Sequence, residues 1–143
     1  RKNILGIELV DPDMVGQSGF DYRVLQHFAE SKISYVAKNT NANTITHYVP
    51  ADARNLARCL EGLQAAFPGA QIREVPVAIV SAIGSNMNVP GFLAKAANAL
   101  AAHKINILAV DQCMRQVNMQ FIVTEDEFDD AIVALHQGLV EES

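Results

Sequence analysis

Tryptophan is absent from the 143 residues, aromatics make up only 6%, and cysteine occurs twice, at Cys59 and Cys113. Two distant thiols without Cys-x-x-Cys spacing give neither a disulfide framework nor a zinc site, so both are expected as buried free thiols in a reducing compartment. Cations are scarce as well. Eleven Lys and Arg against sixteen Asp and Glu leave a net charge of −5, with no cluster to neutralise phosphates, which excludes a nucleic-acid surface. Long apolar runs are missing: stretches such as residues 77–80 fall far short of the ~20 residues a membrane span needs, so no membrane partner is expected. The glycine-rich loops that cradle nucleotide phosphates, G-x-x-x-x-G-K-[ST] or Lys-x-Gly-Gly, do not occur, so no ATP-binding catalytic site is expected in this chain. His27, His47, His103 and His136 share no short spacing, which argues against a metal site and for surface or strand-edge positions. The chain starts Arg1-Lys2-Asn3 and enters an apolar strand at once, with no secretory leader. It reads as part of a longer, cytoplasmic protein.

What is present is a duplication. Met14, Gly19, Phe20, Lys32, Ile33 and the apolar stretch 45–49 recur as Met87, Gly91, Phe92, Lys104, Ile105 and the stretch 119–123. Phe20 to Phe92 and Lys32 to Lys104 are each 72 positions, while the later strands are offset by 74. A period this long suits two copies of a domain rather than a solenoid. The expected division is residues 1–75 and 76–143.

In each copy the apolar period switches between two and about 3.6. Residues 4–10 read as a strand stopped by Asp11-Pro12. Phe20, Val24, Leu25 and Phe28 mark one helix face, with Ser18 as the expected cap and Asp21 favourably placed in the first turn. Residues 33–39 and 44–49 read as strands joined by an asparagine-rich turn, followed by a helix with Leu56, Leu60, Leu63 and Phe67 inward. Gln71 to Val75 either closes the first copy or is exchanged into the second. The second copy repeats the order: strand 77–83, loop 84–89, and a helix from about Pro90 to His103 with Leu93, Ala96, Ala97 and Leu100 inward. Strands 106–110 and 117–123 come next, then a helix with Phe128, Ile132, Leu135 and Leu139 inward, opened by the acidic Asp126, Glu127, Asp129 and Asp130. The small residues 97–102 of the helix read at about Pro90 to His103 predict close helix packing. The chain stops after this helix without an evident last strand. Strand–helix–strand–strand–helix–strand is the order of a ferredoxin-like α+β sandwich, here two tandem modules with antiparallel sheets and helices on one face.

Residues 80–87, Pro90, Gly91, Phe92, Ile105, Asn106, Ile107 and 131–136 resemble the second ACT module of aspartate kinases, and Met14, Gly19, Phe20, Ile33, Ser34 and Thr44 to Thr46 resemble the first. Segments 41–47 and 115–120 further resemble specialised aspartate kinases associated with ectoine synthesis. The resemblance covers nearly the whole chain. It implies an amino-acid-sensing regulatory region, non-catalytic itself, attached to a kinase portion that phosphorylates L-aspartate with ATP and Mg. No cofactor is expected in this chain; a homodimer through the ACT modules is. The effector implied is a free amino acid of the threonine or lysine class.

A buried amino acid needs partners for its carboxylate and its ammonium. The loops before the first helix of each copy, Gly16, Gln17, Ser18, Gly19 and Val89, Pro90, Gly91, suit the carboxylate through backbone N–H groups at a helix N-terminus. Asn39, Thr40 and Asn41 suit the ammonium, and Met14 and Met87 could line a side-chain slot beside Phe20 and Phe92. In lysine-sensing relatives a carboxylate stands where Val36 is, and a Thr-Ser-Glu stretch stands where this chain has Thr40-Asn41-Ala42. Gln112 matches a glutamine of threonine-sensing relatives, which tilts the expectation toward threonine or a neutral ligand. Other readings stay open: a stand-alone sensor acting on a partner protein, a dimerisation module without feedback control, or a small phosphatase in which Arg23 or Arg73 converges on residues 17–19.

Overall fold

The computed structural model describes residues 1–83, 89–112 and 118–141. Met87, Cys113, Val117 and most of the loop expected at 84–89 lie outside the described residues. The chain divides into two compact units, Asn3–Pro76 and Val77–Ser143 with Arg1–Lys2.

In the first unit, inward positions on alternating residues define a sheet. Strand β1 (Ile4–Val10) runs antiparallel to β3 (Thr44–Pro50), which also pairs antiparallel with β2 (Ala37–Thr40). With the first part of β4 (Gln71–Ile83) the order is β2-β3-β1-β4, that of a ferredoxin-like module. Ile7 and Leu9 of β1 and Ile45 and Val49 of β3 share one core with Phe20, Val24 and Phe28 of α1 (Phe20–Glu30) and Cys59 and Leu63 of α2 (Leu56–Ala66). Because Leu9 stands opposite Ile45 in the ladder, and Ile7 and Val49 lie an even number of residues from them, these positions share one sheet face, which both helices cover. The asparagine turn forms as read, with Asn41 Oδ1 accepting from the N–H groups of Asn43 and Thr44 at 3.2 and 3.0 Å.

The second unit repeats the plan with β4, α3 (Phe92–Ala102), β5 (Ala109–Gln112), β6 (Asn118–Thr124) and α4 (Phe128–His136). Both β4 and β5 pair antiparallel with β6. Ala78, Val80, Met119, Phe121 and Val123 meet Ala96 and Leu100 of α3 and Ala131, Ala134 and Leu135 of α4 in the core. Arg1 hydrogen bonds through its backbone to Ile79 on β4. Lys2 lies 5.4 Å from the Phe128 ring centroid.

Several expectations need correction. The strand expected at 33–39 begins only at Ala37, because Lys32 turns left-handed (φ 58°) and Ile33 N–H bonds back to Phe28 C=O at 2.9 Å, so the next residues close the helix. The same device delays the strand expected at 106–110 to Ala109: Lys104 has φ 59° and Ile105 N–H reaches Leu100 C=O at 3.0 Å. Ser18 does not cap α1; Gly19 holds that position at φ 80° without a side-chain bond. Leu93 and Ile132, expected inward, are exposed, because alanines 96, 131 and 134 bring the helices close and take the inner face.

That closeness has a limit at Gly138, just after α4. A Cβ there would lie 2.4 Å from the Cβ of Ala99, a distance no packed pair sustains. Gly138→Ala is therefore expected to destabilise the protein by about 1–3 kcal/mol, read from chemical denaturation. An unchanged midpoint would mean that this approach is looser in solution.

Candidate functional site

The loop before α1 is built by backbone. Asp11 Oδ1 accepts from Asp13 N–H at 2.9 Å, which organises a single 3-10 turn, Pro12–Met14, and Gln17 N–H then bonds to Met14 C=O at 3.0 Å. Gly16 and Gly19 both lie at φ 80°, a region strained for any residue with a Cβ, and a Cβ at either would meet nothing within 4 Å. Space does not require glycine here; chain direction does. Gly16, Gln17, Ser18 and Gly19 are exposed, and the first turn of α1 closes when Arg23 N–H bonds to Gly19 C=O. With no side-chain cap, the N-terminal N–H groups of α1 face an open loop, which is the arrangement a carboxylate fits.

Phe20 and Met14 point into the core, and the Phe20 ring packs against Phe67, tilted by 39° with centroids 4.9 Å apart. Asn39 is half-buried with its Oδ1 unpartnered, Thr40 is exposed at the end of β2, and the Asn41 side chain is occupied by its own turn. Arg23 and Arg73 do not converge on residues 17–19. The Arg23 guanidinium covers the Phe67 ring at 5.0 Å and Arg73 pairs with Glu8 at 3.4 Å, so the phosphatase arrangement is not formed.

One polar group escaped the sequence reading. Asp21, expected to serve the helix dipole, also accepts from Lys38 Nζ with both carboxylate oxygens, which ties α1 to β2. His47, expected at a surface or strand edge, is 1% exposed. It stands directly opposite Lys38 on β3, stacked on Phe28 at 4.5 Å with Tyr35 edge-on at 5.4 Å. Its Nε2 has no hydrogen-bond partner among the described residues. Leaving such a group unpaired costs on the order of 1–3 kcal/mol. Burial first, and then the nearby Lys38 cation, push the imidazole down to about 4, against a smaller opposing effect of Asp21. The signal was available: Ile45, His47 and Val49 alternate, so His47 falls on the buried face of β3.

In the second unit Gly91 precedes α3 at φ 88°, and Lys95 N–H bonds to its C=O at 2.9 Å, as at Gly19. Val89 and Pro90 are exposed, Phe92 packs partly against the core, and Gln112 ends β5 opposite Met119. Cys59 is a buried free thiol, its ionisation pushed up by burial, which removes it as a nucleophile. Among the described residues no three His, Cys, Asp or Glu gather to hold a metal ion, and no helix is long and apolar enough to cross a membrane.

The ACT-domain family matches residues 80–139. Over 141 residues the chain is 40% identical to aspartate kinase Ask_Ect of Stutzerimonas stutzeri (strain A1501), an alignment covering 99% of this chain and 30% of that protein. To chloroplastic aspartokinase 1 of Arabidopsis thaliana it is 26% identical over 149 residues, covering 99% of this chain and 26% of that one. The chain thus spans less than a third of these relatives. The regulatory subunit of aspartate kinase from Thermus flavus superposes with a TM-score of 0.84 at 22% identity, over 96% of this chain and 94% of that one. The ligand-free subunit from Thermus thermophilus does so with 0.84 at 23%, over 97% and 93%. Residues 80–139 thus match an ACT domain, the fold is that of the aspartate-kinase regulatory subunits, and over 99% of its length the chain is homologous to a segment of an aspartate kinase.

Proposed function

We propose that this region senses a free amino acid of the aspartate family, threonine or lysine class, and passes its binding to an attached kinase portion that phosphorylates L-aspartate. What carries the reading is the uncapped, glycine-turned N-terminus of α1, repeated at α3, in a chain homologous to aspartate kinases. The ligand carboxylate takes N–H groups of the loop at 16–19 other than that of Gln17, which Met14 C=O occupies, where the helix end is positive. Its ammonium takes Asn39, Thr40 or neighbouring carbonyls on β2. Escherichia coli aspartokinase III, solved in complex with lysine and aspartate, has this fold at a TM-score of 0.80 and 19% identity. Val36 and the Thr40-Asn41-Ala42 stretch lack the carboxylates of lysine sensors, which favours threonine or another neutral ligand. The ATP and Mg of the phosphoryl transfer belong to the kinase portion, and the assembly is a cytoplasmic homodimer through its ACT modules, the contact an effector would shift. Coupling of about 1–3 kcal/mol between effector and kinase sites corresponds to roughly 5–150-fold changes in affinity.

Calorimetric titration of the chain with threonine, lysine and methionine tests this. Saturable binding is expected for one of them and should be lost in Gly19→Val, whose branched side chain opposes the φ of 80°. No binding by any of the three would leave a dimerisation module without feedback control.

A further inference from the structure

At the end of the first unit away from the loop at 16–19, a cavity of about 380 Å³ lies where α1 ends, β3 ends and α2 begins. The sheet register sets the separation: Val10, which leads toward that loop, faces Thr44, whereas Pro50 on the cavity wall faces Ile4 at the other end of β1. Lys32 and Arg54 both line the cavity, together with Ser31, Ser34 and Asn55. Among the described residues no carboxylate lines it and neither cation has an ion pair. Of the acids nearest in sequence, Glu30 accepts from Gln26 Nε2 at 3.1 Å and Asp52 is exposed. Lys32 follows α1, where a cation suits the negative helix end. Arg54 instead precedes the positive end of α2, and Arg58 stands in its first turn, which holds no acid. The fold does not ask for cations there. In the second unit the core of α4 matches that of α2 at an offset of 72, with Ala131 for Cys59 and Leu135 for Leu63, and the positions of Arg54, Asn55 and Arg58 carry Asp126, Glu127 and Asp130. That unit meets its helix end with its own carboxylates, whereas the first leaves two unpaired cations lining a cavity.

We propose that this cavity binds a small organic phosphate, at a site separate from the amino-acid site described under the proposed function. A phosphomonoester carries about −1.5 to −2 charge at neutral pH and three acceptor oxygens. The Arg54 guanidinium supplies a planar fork and the Lys32 ammonium a point charge, so the ligand's charge meets both cations and leaves neither unmatched. The Ser34 hydroxyl and the Asn55 amide donate to the remaining oxygen. A monocarboxylate has a single charge and two oxygens, which leaves one cation over. Ile33, Pro50 and Ala53 complete the wall. The volume is within the roughly 300–1,000 Å³ of small-molecule pockets and exceeds what a bare phosphate fills, so room remains for a carbon skeleton against these apolar side chains. Lys32 and Arg54 stand 22 positions apart, so no run of cations marks the site in the sequence.

The test is calorimetric titration of the intact chain with glycerol 3-phosphate, inorganic phosphate and acetate, wild type beside Lys32→Gln, Arg54→Gln and Arg54→Lys. Both cations are exposed, so these variants keep the fold, and unfolding midpoints check that they do. Glycerol 3-phosphate is expected to saturate one site per chain, inorganic phosphate to bind more weakly, and acetate not to bind. Lys32→Gln and Arg54→Gln should each weaken the ester roughly ten-fold or more, the usual loss for a hydrogen bond to a charged group. Arg54→Lys should retain more of the affinity than Arg54→Gln, and Lys104→Gln, at the point of the second unit that corresponds to Lys32, should change nothing. Wild-type binding that both glutamine variants leave unchanged overturns the site, and so does acetate bound as tightly as the ester. Inorganic phosphate bound as tightly as the ester overturns the claim on an organic ligand. A wild type that glycerol 3-phosphate does not saturate overturns the proposal outright and leaves amino-acid sensing untouched, because the loop at 16–19 takes no part.

Discussion

As pH falls from 6.5 to about 4, the first unit is expected to lose about 3 kcal/mol of stability through one residue, and His47→Phe is expected to abolish that loss. The folded imidazole is held at about 4 while the unfolded one titrates near 6.5, so between these values only the unfolded chain takes up the proton. The contribution of His47 is fully present above 6.5, declines through the window, and is constant below the folded value. Carboxylates titrate over part of the same range, so the quantity to measure is the difference between wild type and His47→Phe across a pH series of urea titrations. Tyrosine fluorescence is a clean probe, because Tyr22, Tyr35 and Tyr48 all lie in the first unit. A difference that is flat with pH would show that the imidazole is hydrated in solution, and the packing on Phe28 and Tyr35 would have to be abandoned.

Phe28→Ala should destabilise the first unit by about 3–5 kcal/mol, among the largest effects of any single truncation in this chain. The Phe28 side chain is fully buried, so its removal loses the transfer free energy of the ring and leaves a cavity. It also takes away the surface against which His47 is stacked, which lets water reach Nε2 and raises the folded imidazole toward its ordinary value. Phe28→Ala is therefore expected to reduce the pH dependence as well as the overall stability, a combination that a cavity elsewhere in the core would not produce. At the corresponding point of the second unit stands Leu100, also fully buried, and Leu100→Ala should cost about 2–5 kcal/mol without touching that pH dependence. Urea midpoints at pH 7 and pH 5 for both variants separate the outcomes. A pH dependence in Phe28→Ala equal to wild type would place the stabilising contacts of His47 somewhere other than this ring.

Much of the architecture was legible because burial leaves periodic marks. Val24 and Phe28 on α1, Leu63 on α2, and the alternation of Ile45 and Val49 each predict one buried face, and those faces meet in the first core. Strand starts were not legible. Lys32 and Lys104 look like ordinary polar residues at helix ends, yet each turns left-handed, and nothing in a lysine announces a positive φ. The exposure of Leu93 and Ile132 was misread for a related reason. Periodicity marks an apolar stripe wider than the strip that alanine-lined helices cover once they approach closely, and how closely they approach depends on the partner.

The loop glycines were recognisable as a helix entrance from their spacing with Phe20 and Phe92, and the structure adds their left-handed backbone and the missing side-chain cap. The grouping of Asp21 with Lys38 and His47 was not recognised. Asp21, Lys38 and His47 are spread over 27 positions of sequence and come together only because β3 folds back on β2 while α1 lies across both. The sequence by itself determined the duplication, the order of elements and the kinship with aspartate kinases, all of which reside in local periodicity and in repeated short motifs. The tertiary structure alone decided which polar residues are buried, which ions pair and which imidazole is left without a partner. Those properties belong to strand register and helix placement, which bring distant residues within a few ångströms of each other and which no local pattern encodes.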